Sequence, residues 1–163
     1  MINEADLSHL RKAIAAPRSV RDRSNAPHGT VLVDADGDRL AVAENTRIVG
    51  QDCTGQAETI LVRSIGAKID GSVLKSSTLY ASGEPCAMCA GALHNAGIGR
   101  VVFALSRARV CEIASSTDGI AIGAAELLAK AQPKVTVEGP VLEDEAAQLR
   151  APTLLRVPAT RSR

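Results

Sequence analysis

Two short segments contain residue types that bind metals or move protons. One is segment 56–58 (Gln-Ala-Glu), and the other is segment 84–89 (Glu-Pro-Cys-Ala-Met-Cys). In Pro-Cys-x-x-Cys the proline presets φ for the start of a helix, so both thiols fall on one side of the first turn. Because a helix N-terminus lowers thiol pKa values, both cysteines can become thiolates that bind a soft metal such as zinc. The spacing therefore predicts a metal site that contains Cys86 and Cys89.

A Cys-x-x-Cys pair by itself is also compatible with a redox pair or a structural zinc site. A redox pair would follow the first strand of a thioredoxin-like unit, whereas this pair follows the third predicted strand. A structural zinc site would need a second Cys or His pair, and Cys53 and Cys111 lack the spacing for one. In a reducing compartment, four cysteines favour metal or catalytic roles over disulfides. We therefore prefer a catalytic metal site, with the other two sites as alternatives.

Six segments that include these motifs extend the pattern over nearly the whole chain. They are APHGTVLVD (26–34), AEN (43–45), GQAET (55–59), TLYASGEPCAMCAGAL (78–93), IGRVVFALS (98–106) and GPVLEDEA (139–146). In this order they resemble the cytidine and nucleobase deaminase superfamily, whose signature is H-x-E followed by P-C-x-x-C. Within it, the chain is similar to bacterial guanine deaminases, cytosine deaminases and tRNA adenosine deaminases. The resemblance implies an α/β fold: a three-layer α/β/α sandwich around a five-stranded mixed sheet.

The resemblance also implies a role for each motif residue. Cys86 and Cys89 would bind Zn²⁺, which lowers the pKa of a bound water so that hydroxide is available near neutral pH. Glu58 would take the proton of the water and pass it to the ring nitrogen and then to the leaving amine, so that ammonia is released. Asn45 would hydrogen-bond the substrate ring, and Ala57 would line the pocket with its backbone.

Ordinary structural roles are the alternatives for some of these residues. Glu58 could be an acid that favours the dipole at a helix N-terminus, and Asn45 could be a turn residue. The resemblance also implies that the Glu84 region closes the pocket. We interpret Asp118 as the N-cap of a helix over residues 120–131, with a substrate contact as the alternative.

The chain departs from the superfamily signature at the metal-binding histidine, because Gln56 occupies that place. A glutamine oxygen can coordinate zinc, but it is a weaker and harder donor than imidazole, so we expect weaker metal retention. His28 stands where relatives usually have Phe or Val on the pocket wall. It could contact the substrate, replace the missing metal ligand or be an ordinary wall residue. We prefer Gln56 near the metal and His28 against the substrate.

The remaining histidines and cysteines have structural interpretations. We expect His9 on the solvated outer face of the first helix and His94 at a surface or subunit contact. Cys53 is expected to be a small buried residue, with metal ligation as a minor alternative. Cys111 is expected in a loop, with no partner in the sequence.

The hydrophobic pattern predicts helices and strands that would position these motifs. Helices are predicted over 4–16, 57–67, 86–96 and 122–131, and strands over 30–35, 39–45, 77–82, 100–105 and 134–139. The turn at 36–38 (Asp-Gly-Asp) joins the first two strands in a hairpin. The order requires an α/β sandwich whose second half is parallel. We assign residues 1–151 to a single deaminase domain and 152–163 to an irregular C-terminal tail.

Composition and charge limit the classes of partner. The formal net charge of +1 supplies no strong field toward nucleic acid or an anionic membrane. The only aromatic residues are Tyr80 and Phe103, too few to bind single strands by base stacking. The sequence contains no apolar stretch approaching the roughly 20 residues that span a bilayer, and residues 1–10 lack the apolar core of a secretory signal. We therefore expect a cytoplasmic protein with no membrane association.

The leading hypothesis for function is a zinc-dependent hydrolytic deaminase. Its substrate would be a free nucleobase or base-like heterocycle of the guanine, cytosine or triazine type. The alternative rests on Gln56: a family member that lost the metal and binds a heterocycle or a partner without catalysis. The resemblance further implies a homodimer, since the helix that begins at Cys86 is rich in Ala and Gly and can accept a close neighbour.

Overall fold

The structure, a computed structural model, describes residues 1–17, 27–117 and 119–154. Its strands are β1 (Gly29–Val33), β2 (Arg39–Glu44), β3 (Thr78–Gly83), β4 (Arg100–Leu105) and β5 (Thr136–Glu138). They form one sheet in the order β2-β1-β3-β4-β5. β1 is antiparallel to β2 and to β3, whereas β3, β4 and β5 are mutually parallel. The predicted mixed sheet, with its hairpin and its parallel second half, is confirmed.

Helices cover both faces of this sheet. They are α1 (Glu4–Ala15), α2 (Ala57–Ile65), α3 (Gly71–Ser76), α4 (Ala87–Asn95), α5 (Arg107–Ala114), α6 (Ala124–Leu128) and α7 (Glu143–Leu154). Because side chains alternate along a strand, Leu79 packs toward α2, α4 and α6, while Tyr80 packs toward α1 and α7. These two cores on opposite faces confirm the three-layer sandwich. No helix within the described residues is both long and apolar enough to cross a membrane.

Three helices, α3, α5 and α7, were not predicted. Helix α5 has no buried residue, and over the part of α7 whose burial is described (143–148) the buried residues are Ala146 and Ala147, so neither shows the apolar periodicity by which a helix is recognised. The prediction of a loop around Cys111 is therefore wrong, since this residue lies on α5. Helix α7 extends to Leu154, past the predicted start of the tail at residue 152; residues 155–163 lie outside the described residues.

The start of α6 also differs from the prediction. Its N-cap is Gly123, so the helix begins at Ala124 and not at residue 120. Asp118 lies outside the described residues. The backbone N–H of Ala124 instead donates to the Glu84 carboxylate at 2.8 Å. A residue distant in sequence thus satisfies the helix end, which local sequence alone could not indicate.

A buried ion cluster, here called the Asp6 cluster, joins α1 to three strands. Asp6 accepts hydrogen bonds from the Tyr80 hydroxyl at 2.7 Å and from the Arg100 guanidinium at 2.6 and 3.1 Å. Arg100 also forms an ion pair with Glu138 at 2.6 Å. Burial raises the pKa of Asp6, but its hydrogen bonds with Arg100 and Tyr80 outweigh burial and hold this pKa at about 2.

His9 lies beside this cluster, and the prediction that it is solvated is wrong. Its ring is half-buried and stacks on Tyr80, with 5.2 Å between ring centroids. The face of α1 that carries His9 is therefore covered by β3.

Candidate active site

The N-termini of α2 and α4 place the predicted metal ligands against one another. Gln56 is the N-cap of α2 and Cys86 is the N-cap of α4, and both have extended backbones. The side chain of Gln56 makes no capping hydrogen bond to its own helix, so it is available to reach across. Its Oε1 atom lies 3.3 Å from Sγ of Cys86 and 3.3 Å from Sγ of Cys89. One amide oxygen and two sulfurs therefore converge on one point.

The two thiols differ in acidity because they interact with each other. A hydrogen bond from the Cys89 thiol lowers the pKa of Cys86 to about 5, although burial acts in the opposite direction. Backbone N–H groups of Met88 and Cys89 and the charge of Arg107 lower it further. The same contact with Cys86, together with burial and the nearby Glu58 carboxylate, raises the pKa of Cys89. The contact between the two sulfurs therefore favours the thiolate form of Cys86, with the Cys89 thiol as the hydrogen-bond donor.

Glu58 lies on the first turn of α2, directly beside these sulfurs. Only 4% of the residue is exposed, and its carboxylate interacts with the Cys89 thiol. Glu58 also lines the cavity described next. An acid that merely favoured the helix dipole would gain nothing from such burial, since a buried carboxylate loses its hydration. The position therefore favours a chemical role for this side chain.

A cavity of about 400 Å³ opens beside the thiols. It is lined by His28, Asn45, Arg47, Gln56, Glu58, Glu84, Cys86, Ala87, Met88, Arg107, Val110, Gly119 and Ile120. Cys89, a predicted metal ligand, is fully buried and is not part of this lining. Ala57 is fully buried between Gln56 and Glu58 and is not part of the lining. The structure thus brings Gln56, Glu58, Cys86, Asn45 and His28 to the lining of one cavity.

His28 and Asn45 form one wall of the cavity, and backbone contacts fix their relative position. The Asn45 N–H donates to the His28 carbonyl oxygen at 2.9 Å. The side-chain oxygen of Asn45 accepts from the N–H of Arg47 at 3.1 Å, which is an Asx turn. Asn45 is only 7% exposed. Asn45 is therefore both a turn residue and part of the cavity lining.

Glu84, directly after β3, connects the end of this strand to the helices α5 and α6. One carboxylate oxygen accepts from the N–H of Arg107 at 2.9 Å, and the other accepts from the N–H of Ala124 at 2.8 Å. The carboxylate therefore holds the first residues of α5 and α6 next to the Pro-Cys turn. Sequence reasoning missed Arg47, Arg107 and Val110 as lining residues. The last two lie on α5, whose sequence gave no helical signal.

The donor atoms at the convergence point fit a metal ion. Zinc ligands at about 2.3 Å for sulfur and about 2.1 Å for oxygen lie about 3.6 Å apart in a tetrahedron, close to the O–S separations of 3.3 Å. The described residues contain no group of three His, Cys, Asp or Glu that could hold a metal. Within those residues His28 therefore forms no such group with the thiols, whereas the oxygen of Gln56 lies 3.3 Å from each sulfur. If Cys89 also loses its proton when a metal binds, the two thiolates would balance the charge of a divalent ion, and the amide oxygen would add no charge.

Two other residues considered as site candidates lie elsewhere. Cys53 is exposed, so the expectation of a buried small residue is wrong. His94 lies near the end of α4, half-buried. Its Nδ1 is buried without a hydrogen-bond partner among the residues that the structure describes.

Comparison with known proteins decides the family. Residues 3–105 match the family model of the cytidine and deoxycytidylate deaminase zinc-binding region. The chain belongs to this deaminase family. It is 34% identical over 148 residues to a Schizosaccharomyces pombe protein named probable cytosine deaminase, covering 89% of this chain and 90% of that protein. It is 36% identical over 104 residues to the tRNA-specific adenosine deaminase of Haemophilus influenzae, covering 64% of this chain and 60% of that protein.

Solved structures confirm the fold of this family member. A guanine deaminase from Nitrosomonas europaea superposes with a TM-score of 0.78 and 19% identity, covering 95% of this chain and 86% of the other. Another similar structure, with a TM-score of 0.76 and 19% identity, covers 99% of this chain and 88% of its own and is in complex with 2,6-diaminopurine. The expected cytidine deaminase-like fold and the superfamily resemblance are both confirmed.

Proposed function

We propose that this protein is a zinc-dependent hydrolytic deaminase that removes an exocyclic amino group from a nitrogen heterocycle, a free nucleobase or base-like ring, and releases ammonia. The supporting observation is the buried Glu58 carboxylate beside the convergent Gln56, Cys86 and Cys89 donors, all at the edge of one cavity. Family membership indicates the class of reaction, and these residues provide the metal donors and the proton-transfer group that the reaction needs.

Cys86, Cys89 and Gln56 would hold the zinc ion. When bound, zinc acts as a Lewis acid that lowers the pKa of water near neutrality. The thiolate character of Cys86 prepares the site for a cation, because no proton has to leave that sulfur at neutral pH. The amide oxygen of Gln56 adds a neutral donor, so the charge of the ion is balanced by the two sulfurs.

Glu58 moves the protons of the reaction. Its carboxylate takes a proton from the attacking water, whose oxygen forms a bond to the ring carbon that carries the amino group. The same carboxyl group gives this proton to the ring nitrogen, then takes the proton of the new hydroxyl group and gives it to the exocyclic amine. The carbon–nitrogen bond breaks, ammonia leaves, and a carbonyl remains on the ring. Burial of Glu58 keeps bulk water from exchanging these protons.

His28 and Asn45 would position the ring. Neither Tyr80 nor Phe103 lines the cavity, so the imidazole of His28 is the side-chain ring that would stack on the heterocycle. Asn45 presents an amide to the polar edge of the heterocycle. A pocket of about 400 Å³ is within the range that binds small ligands.

An ammonia-release screen over purines, pyrimidines and triazines tests this function, with zinc content measured on protein purified without chelator. Glu58→Gln should keep fold and zinc yet lower the rate at least about a hundredfold, because the proton carrier is removed. Glu4→Gln, which changes an exposed first-turn acid of α1, is the matched control and should behave as the parent. Glu58→Gln activity within a few-fold of the parent would contradict the role of Glu58. A parent that contains no metal and releases no ammonia would favour the non-catalytic alternative.

We also propose that the protein is a homodimer. On α4, Gly91 and Ala92 are half-exposed, and a Cβ at Gly91 would meet no atom within 4 Å. A second copy could therefore approach this helix closely. Light scattering at micromolar concentration should report about twice the monomer mass, and a monomer would contradict the proposal.

A further inference from the structure

One segment of the chain, residues 107–124, contributes four residues to the lining of the cavity. They are Arg107, Val110, Gly119 and Ile120. The segment begins with α5 and ends at the first residue of α6. Helix α5 has no fully buried residue, so apolar packing fixes its place less firmly than a buried face would. Polar contacts therefore become important for holding this segment beside the cavity.

The carboxylate of Glu84 holds both ends of the segment. Its Oε2 atom accepts from the N–H of Arg107 at 2.9 Å, and its Oε1 atom accepts from the N–H of Ala124 at 2.8 Å. These are the first residues of α5 and α6, and the N–H groups of a first turn have no acceptor within their own helix. One side chain thus ties the start and the end of the segment to the same point.

Gly123 leaves room for the second of these bonds. It is the N-cap of α6 and makes no side-chain capping bond, so this helix depends on an acceptor from elsewhere. A Cβ at Gly123 would lie 3.0 Å from Oε1 of Glu84, which is tighter than an ordinary contact. Ala124 is only 1% exposed, so water cannot readily replace the carboxylate as the acceptor of its N–H. The glycine and the carboxylate therefore fit each other.

The backbone of Glu84 is fixed next to a proposed zinc ligand. Its N–H donates to the carbonyl oxygen of Leu105 at 2.7 Å, which joins the end of β3 to the end of β4. Glu84 is followed directly by Pro85 and Cys86, and its own side chain is part of the cavity lining. The distance between the zinc ligands and the segment 107–124 therefore depends on one carboxylate.

We propose that Glu84 is a positioning residue for the substrate: its carboxylate holds the segment 107–124 at the distance from the zinc ligands at which the cavity fits the heterocycle. The inference rests on the proposed function, because it concerns the substrate of the same site. Glu84 transfers no proton in this role. Its loss should therefore weaken binding of the ring much more than it slows the reaction of a ring that is already bound.

The main test measures the binding of radiolabelled cytosine, guanine and melamine by equilibrium dialysis with zinc-loaded protein. Every protein in this comparison also carries Glu58→Gln, so that the base is not consumed; Glu58→Gln alone is the reference. Glu84→Gln should raise the Kd about tenfold or more, because the single oxygen of glutamine can accept from only one of the two N–H groups. With Glu58 present, ammonia release at saturating base should fall less than about threefold in Glu84→Gln.

Glu143→Gln is the matched control, because this carboxylate also holds the start of α5. The N–H and the hydroxyl of Ser106 both donate to the same oxygen of Glu143, at 2.9 and 2.6 Å. Glutamine has one such oxygen and can keep both bonds, and Glu143 lies outside the cavity lining. The Kd of this control should stay within about twofold of the reference.

A second pair of variants separates positioning from stability. Glu84→Ala leaves the N–H of Ala124 without its acceptor, and should weaken binding and lower the free energy of unfolding. Adding Ala124→Pro removes this N–H at the first position of a helix, where proline is favoured, and Gly123 already has the extended backbone that precedes proline. Stability should recover in part. The Kd should stay raised, because α6 is still not tied to residue 84.

A Kd that recovers together with stability in the double variant would overturn the inference, since Glu84 would then only stabilise the fold. Unchanged binding in Glu84→Gln would overturn it as well, and so would a reference protein that binds none of the three bases. Loss of zinc from Glu84→Gln, or a fall in saturated ammonia release larger than the loss of binding, would do the same.

Failure of the inference and failure of the proposed function give different results. Ammonia release from the parent, with unchanged binding in Glu84→Gln, leaves the proposed function standing without this inference. Weaker binding in Glu84→Gln, with no ammonia release from any protein, supports the positioning role and removes the proposed function.

Discussion

Two groups of polar residues next to strand β3 differ in what their atoms face. In the Asp6 cluster, both carboxylate oxygens of Asp6 accept hydrogen bonds from Arg100, and one also accepts from Tyr80. At the end of the same strand, the oxygen of Gln56 and the sulfurs of Cys86 and Cys89 converge beside a cavity. The first group uses its charges to join protein elements. The second directs them toward a space where another molecule can bind.

The two groups should therefore affect different properties, the Asp6 cluster the stability of the fold and the cavity residues the chemistry. A change in the Asp6 cluster should alter the free energy of unfolding and leave the metal in place. A change at the cavity should alter metal content or turnover. The predictions below test this separation, beginning with the largest expected effect.

The double change Cys86→Ser and Cys89→Ser should remove zinc and also destabilise the fold. The site joins the N-termini of α2 and α4, so metal binding contributes to folding. Zinc stoichiometry and urea unfolding measure the two effects. The matched control changes Cys53 and Cys111 to Ser and should retain about one zinc per chain. If the motif variant keeps both metal and stability, the ligand assignment is wrong.

Asp6→Asn should lower the free energy of unfolding by about 2 kcal/mol, because it removes one of the two carboxylates that pair with Arg100, at a position only 2% exposed. Urea unfolding at pH 7 measures this loss. Zinc content should stay at the parent value, since the cluster does not contact the thiols. Loss of zinc from this variant would show that the two groups are coupled.

The same residue predicts how stability depends on pH. The folded pKa of Asp6 is about 2 and the ordinary value is 3.8, so ionised Asp6 contributes about 2 kcal/mol. Because the folded pKa is depressed, this contribution is fully present above about pH 4 and is lost as the pH falls toward 2. Asp6→Asn should lack this part of the acid dependence. An unfolding free energy that declines in parallel in both proteins between pH 4 and 2 would contradict the assigned pKa.

Gln56→His tests how the metal site differs from the superfamily signature. If Gln56 is a weak ligand, histidine should raise zinc affinity about tenfold or more, because imidazole is the better donor. His28→Ala should then change substrate binding and leave zinc in place. Competition with a zinc chelator measures the affinities.

Other outcomes for these two variants would change the interpretation. A sharp loss of zinc in His28→Ala, with Gln56→His nearly neutral, would make His28 the third ligand. Metal binding by Gln56→His where the parent binds none would favour the non-catalytic alternative. Each interpretation therefore predicts a different pattern over three proteins.

The Asp6 cluster and the cavity site also differ in how far they could be predicted from the sequence. Gln56, Glu58, Cys86 and Cys89 could be predicted from the sequence because they lie within two short motifs, each at a helix start. The Asp6 cluster was not, since Asp6, Tyr80, Arg100 and Glu138 are far apart in the chain and belong to no motif. The register of β3 on β4 and of β4 on β5, together with the packing of α1 on the sheet, brings them together. Arg107 was missed for a related reason, because the helix that carries it has no buried face.

His9→Phe should have the smallest effect and should be stabilising. The histidine ring stacks on Tyr80 with 29° between ring planes, and phenylalanine can keep this contact. Nδ1 of His9 is buried without a hydrogen-bond partner among the described residues, and phenylalanine removes this polar atom. We expect a gain of about 1 kcal/mol, the cost of one unsatisfied polar group.

Burial lowers the pKa of His9, so the parent should lose stability as the pH falls below the ordinary value of 6.5, whereas the variant should not. The difference between the two unfolding free energies should therefore widen from pH 7.5 to about pH 5.5. His9→Ala, which loses the stacking contact, is the control and should be less stable than the parent at pH 7.5. A destabilised phenylalanine variant would mean that the imidazole nitrogen makes a contact that the stacked ring alone does not explain.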